Sequence, residues 1–149
     1  MNIVTEMQSI AKKVVELVNT YPNLPCKCVY QELDASAPYS LSLSSVASAP
    51  RLDTDVTGGY TGIFPFAVYM RVYPDDGAER IDCEQFMNEL AQYIVDNYAA
   101  IELDGGRIIE DIEQTQIATL INRMNDDSYD YQTIFSLRYN ATTNNGDIT

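Results

Sequence analysis

The 149-residue chain contains no histidine, so the commonest general base and the commonest metal-binding side chain are both missing. Triads built on a histidine are excluded with it. Positive charge is scarce as well: nine lysines and arginines stand against 22 acids, a formal net charge of −13. Phosphate-binding surfaces need the opposite balance, which argues against nucleic-acid readers and binders of anionic membranes. No apolar run approaches the length of a membrane span, and no membrane partner is expected. Cysteine is limited to Cys26, Cys28 and Cys83, an odd number with no signal peptide ahead of it. That pattern points to free thiols in a reducing compartment. Cys26-x-Cys28 and the distant Cys83 offer three thiolates without a fourth ligand at zinc spacing, so the close pair reads as small core residues. Asp53-x-Asp55 and Asp75-Asp76-x-x-Glu79 lack the spacing of an EF-hand loop. Gly58-Gly59-x-x-Gly62 precedes a strand instead of joining strand to helix, unlike a phosphate-cradling loop. No metal, cofactor or catalytic residue is expected, and function is sought in assembly rather than in catalysis.

An apolar fraction of 46% supports a folded globule, and the length suits one domain over residues 1–140 with a polar, disordered tail at 141–149. The densest strand-favouring run is residues 62–74, read as the central strand. Phe66, Val68, Met70 and Val72 share one wholly apolar face, and Ala67, Tyr69, Arg71 and Tyr73 share the other, because strand side chains alternate. Pro65 lacks an N–H, so pairing is expected to begin at or after Phe66.

Residues 3–20 have the three- and four-residue apolar spacing of an amphipathic helix, ended by Pro22 and Pro25. A second helix follows the central strand, with Asp82 as its expected N-cap and Cys83, Phe86, Met87, Leu90, Ile94 and Tyr98 as its buried stripe. Cys26–Leu33 and Tyr39–Val46 read as the two strands of a hairpin. Residues 48–62 form the longest irregular segment, expected to be a contact loop that orders on assembly. Arg107–Gln114 is a half-buried strand, residues 117–124 fit strand or short helix equally, and Tyr129–Asn140 is a further strand. The fold class is therefore α+β: a mainly antiparallel sheet of four or five strands with two amphipathic helices on one face.

Charge is sorted along the chain. Residues 1–73 hold six acids and five bases, whereas residues 74–149 hold sixteen acids and four bases. The acidity belongs to the second half, as a solvated surface or as a face past which another polyanion must slide.

Three stretches carry a resemblance: Val29-Tyr30-Gln31-Glu32-Leu33, Gly59-Tyr60-x-Gly62-x-Phe64-Pro65-Phe66 with Arg71, and Tyr131-Gln132-x-x-Phe135-x-Leu137-x-Tyr139. In this order and across residues 24–140 the chain resembles the tail terminator and minor capsid proteins of tailed phages of Gram-positive bacteria. The resemblance implies a non-enzymatic ring, typically a homohexamer, that caps the finished tail tube, stops its polymerisation and meets the head connector. It implies a virion protein assembled in the host cytoplasm, with the tail tube protein, the connector and other copies of itself as partners. DNA would pass through the ring without specific binding. Contacts to neighbours are then expected from Arg51, Asp53, Asp55 and Tyr60 in the long loop and from Tyr69, Arg71 and Tyr73 on the outer strand face. Glu110, Asp111, Glu113, Asp126 and Asp127 are candidate lumen acids that would repel DNA. The alternative is a monomeric acidic module that docks on a basic partner protein, as an inhibitor would.

Overall fold

The computed structural model describes residues 3–31, 33, 39–46, 51–54, 59–73, 77–123 and 127–141; for residues 3–5, 51–54 and 77–81 it describes the backbone alone. Among the described residues, two α-helices and six strands follow in the order α1 (Ile3–Val18), β1 (Cys28–Tyr30), β2 (Tyr39–Ser45), β3 (Arg51–Thr54), β4 (Tyr60–Val72), α2 (Gly77–Asn97, extended by a 3-10 turn at Tyr98–Ala100), β5 (Arg107–Arg123) and β6 (Tyr129–Ala141). The strands form one sheet in the order β1-β2-β4-β6-β5, and β3 pairs with the start of β4. Every pairing is antiparallel except β1 with β2. The α+β architecture expected from the residues is the one the chain adopts.

β4 is central because both of its flanks are used. Along one flank it pairs with β6 from Tyr60↔Ala141 to Val72↔Tyr129. Along the other it pairs with β2 from Phe66 to Val72 and with β3 from Tyr60 to Gly62. Pro65 sits in the interval between those two partners, and its carbonyl, which accepts from the Val46 N–H at 2.9 Å, points toward that same flank. The N–H that proline lacks would have pointed into the interval, where no strand needs it. The paired strand therefore begins at Tyr60, earlier than the proline suggested.

The alternating face holds. Phe64, Phe66, Val68, Met70 and Val72 are buried together with Leu41 and Leu43 of β2 and Tyr131, Phe135, Leu137 and Tyr139 of β6. Phe66 stacks on its cross-strand partner Phe135 with ring centroids 4.8 Å apart. The stripes Ile10, Val14, Leu17 and Val18 of α1 and Met87, Leu90, Ala91 and Ile94 of α2 cover this face. α1 lies against β1 and β2, and α2 against β5 and β6.

Further expectations need correction, and one open reading is resolved. β1 and β2 are parallel neighbours, not a hairpin, and Asn19, just past α1, exchanges two bonds with the Cys28 backbone (2.8 and 3.0 Å) that tie β1 to the end of that helix. α2 begins at Gly77, so Asp82 is an exposed residue inside the helix and not its cap. The long polar segment contains a strand, β3, which folds back on β4. Residues 117–123 continue β5, and four register irregularities break its alternation. The first of these places the extra residue Glu110 beside Asp111, opposite Arg138, and turns Ile112 to the core. Of the expected tail at 141–149, Ala141 is instead the buried last residue of β6, paired with Tyr60, and the rest lies outside the described residues.

Burial acts on the titration of the interior. It pushes the Cys28 thiol up to about 12, with Cys26 adding to the effect, and pushes Cys83 up to about 12, with Glu84 adding. Tyr139 is raised above its ordinary value by burial first and then by the Glu6 charge. Above pH 9.0, the ordinary thiol value, the unfolded chain releases these protons while the native chain keeps them, so stability falls as pH rises. Melting temperature is expected to hold near neutrality and to drop between about pH 9 and 12, each group contributing up to about 1.4 kcal/mol per pH unit. The double substitution Cys28→Ala with Cys83→Ala should make that decline shallower. A melting temperature unchanged up to pH 11 would contradict the assignment.

Candidate assembly surfaces

The helices pack on one face of the sheet, and β4 and β6 alternate polar groups onto the other. Arg71 and Asp130 are cross-strand partners joined by a two-pronged ion pair, Nε to Oδ1 at 2.7 Å and Nη2 to Oδ2 at 2.9 Å. Next to them the Gln132 amide donates to the Tyr69 hydroxyl at 3.0 Å. Tyr69 and Asp130 line a shallow groove of about 530 Å³ with Gln31, Leu33, Ser42, Ser44 and Ile121. Tyr69 and Arg71, two residues singled out in the sequence, both lie on this face. It did not foresee that the guanidinium is held by a carboxylate of its own chain.

β5 is the outer strand beyond β6, and its free flank is the longest exposed edge among the described residues. Ile108 and Ile117 are 63% and 67% exposed there, and Leu120 and Ile121 are exposed as well. Glu110, Asp111 and Glu113 are also exposed; Glu110 accepts from Asn140 at 2.6 Å and faces Arg138 at 4.0 Å. Asp127 is an exposed turn residue at φ 68°, and Asp126 lies outside the described residues. The carboxylates grouped by their sign are thus divided between the edge strand and the turn that follows it.

A network invisible to periodicity holds the bulged middle of β5. The Asn88 carbonyl of α2 accepts from the Ala118 N–H at 2.9 Å and from Gln114 at 3.1 Å, and Gln114 also donates to Thr133 at 2.8 Å. An N–H displaced from the ladder by a bulge is in this way satisfied by a helix side chain.

The other end of the sheet carries a buried polar cluster. Glu6, 2% exposed, receives the Tyr60 hydroxyl and faces Arg107 at 3.6 Å. The Tyr139 ring lies edge-on to Tyr60 at 6.3 Å between centroids and fills the space beside its cross-strand partner Gly62. Tyr60, the first residue of β4, therefore ties the start of the central strand to α1. Arg51 and Asp53 fall on β3 opposite Gly62 and Thr61, Tyr73 follows β4 half-buried, and Asp55 lies outside the described residues. A lone glutamate in an otherwise apolar helical stripe was the sequence signal for this cluster, and it reads equally well as a surface residue. Among the described residues, no three carboxylate or thiol groups converge as a metal site.

No protein-family model matches the chain, and no curated protein matches it. Among solved structures it is similar to a chain from the virion of a native gene transfer agent particle, at 15% identity and a TM-score of 0.48, covering 91% of this chain and 94% of that one. A second solved chain aligns over 95% of each at 15% identity and a TM-score of 0.38.

Proposed function

We propose that the chain is a structural protein of a phage-like virion, and within it a ring-forming tail terminator rather than an enzyme. The observation that carries the reading is that the motifs responsible for the family resemblance form one unit. Gly62 lies opposite Tyr139, Phe64 opposite Leu137 and Phe66 opposite Phe135, so two stretches distant in sequence meet residue for residue in the centre of the sheet. The exposed β5 edge adds a surface of the kind that subunits use to join. In this role the ring closes the finished tail tube, meets the head connector and lets DNA through, with the net charge of −13 discouraging DNA from adhering in transit. It would reach its place in the virion from the host cytoplasm.

The test is to delete the gene from the particle that encodes it and to examine tails by electron microscopy. Tubes of uncontrolled length without attached heads are expected, and restoring the gene should restore both length and attachment. Particles with heads on tails of normal length would overturn the reading.

A further inference from the structure

The sheet ends in two unlike margins. All three lysines of the chain, Lys12, Lys13 and Lys27, belong to α1 and the segment leading into β1. Lys12 lies two helical turns before Asn19, the residue that clamps Cys28, so it shares the side of α1 that borders β1. Lys27 is exposed beside Cys28 itself. At the other margin, four strand spacings or about 19 Å away across the sheet, β5 exposes Asp111 and Glu113 beside Ile108 and Ile117. The first margin exposes Lys12 and Lys27 with one acid, Glu16, and β5 exposes Glu110, Asp111 and Glu113 with one base, Arg123, so the two margins differ in the sign of their excess charge.

We infer that copies of this chain join head to tail, with the Lys12/Lys27 margin of one copy seated on the β5 edge of the next. The inference rests on the ring reading above and names its contact. Two copies at −13 each repel one another in general, and two β5 edges bring like carboxylates together. Only unlike margins attract, and a contact between different patches repeats around a ring until it closes. Pro25 next to the three-residue β1 denies that margin a long ladder, so side-chain charge and the exposed isoleucines carry the contact. Asp111 and Glu113 then face a neighbouring subunit and not the lumen.

The test uses two variants of the full chain, K12E/K27E and D111K/E113K, followed by light scattering on a size-exclusion column from micromolar to millimolar protein at low and physiological salt. Each variant alone gives both margins an excess of the same sign and is expected to assemble at least tenfold more weakly than the unchanged chain. Mixing the two in equal amounts should restore assembly with the copies alternating, because each then supplies the margin that the other lacks. Far-ultraviolet circular dichroism checks that both fold. Independently, carbodiimide coupling of the unchanged chain, mixed from light and heavy isotope stocks, should join Lys12 or Lys27 of one copy to Asp111 or Glu113 of another. An unchanged chain that forms rings, with variants that form them equally well, overturns the contact and leaves the ring reading standing. An unchanged chain that stays monomeric to millimolar concentration at low salt overturns both.

Discussion

Glu6→Ala is expected to lower the free energy of unfolding by about 3 to 5 kcal/mol, because it removes the carboxylate facing a guanidinium that is itself buried. Arg107 is 8% exposed and Glu6 2%, so water cannot take over the lost partner's role without opening the end of the sheet. For a domain of this size the loss corresponds to roughly 10 °C or more in melting temperature. Glu6→Gln separates charge from shape, since the amide can still accept from Tyr60 but no longer balances Arg107. Replacing both partners, as Glu6→Met with Arg107→Met, should recover most of the loss, because apolar groups of similar volume have no desolvation penalty to offset. Urea and thermal unfolding measure all three. A cost below about 1 kcal/mol for Glu6→Ala would mean that the cluster is solvated and holds nothing together.

Gly62→Ala is expected to be nearly as damaging. An added Cβ would stand 2.4 Å from Cζ and 2.5 Å from the hydroxyl oxygen of Tyr139, closer than real atoms approach. Tyr139 is fully buried, with Tyr60 against its ring, so it cannot step aside without disturbing the Glu6 cluster. Overpacking of this kind costs about 1 to 3 kcal/mol, and a ring held on several sides belongs at the upper end. The diagnostic measurement is a double-mutant cycle. Tyr139→Leu alone leaves a cavity and is destabilising, yet combined with Gly62→Ala it should cost clearly less than the two separate losses added together. Strict additivity would show that the ring is not what excludes the methyl group.

These two residues also mark where sequence reasoning ran short. Gly62 was legible as a turn former ahead of a strand, whereas the fold uses it inside the strand as the empty place that a tyrosine from β6 occupies. A glycine announces the absence of a side chain but not the neighbour that requires it. The buried stripes of α1, α2, β4 and β6 were legible because apolar residues recur there at the period of their own element. Strand direction was not, since alternation is the same for parallel and antiparallel neighbours, and β1 with β2 was misjudged for that reason. β5 hid its faces because each bulge resets the alternation, which is why Ile108 is exposed while Ile112 is buried. For the candidate surfaces, the exposed carboxylates of β5 and the outer face of Tyr69 and Arg71 were visible in advance. The Arg71–Asp130 pair and the Asn88 bridge were not, because each joins residues whose meeting depends on strand order.

The position of β6 governs the birth of the molecule as well as its packing. Of the described strands it is synthesised last, yet it lies between β4 and β5 and pairs with β4 along its whole length. A nascent chain that has emerged through α2 therefore carries a naked flank on β4, with Phe64 and Phe66 lacking the aromatic and aliphatic neighbours that β6 will bring. At a ribosomal pace of about 5 to 20 residues per second, that flank stays open for several seconds before β6 leaves the exit tunnel. The chain cannot fold strand by strand as it appears. A product cut short after α2 would therefore carry an unpaired edge at the centre of its sheet.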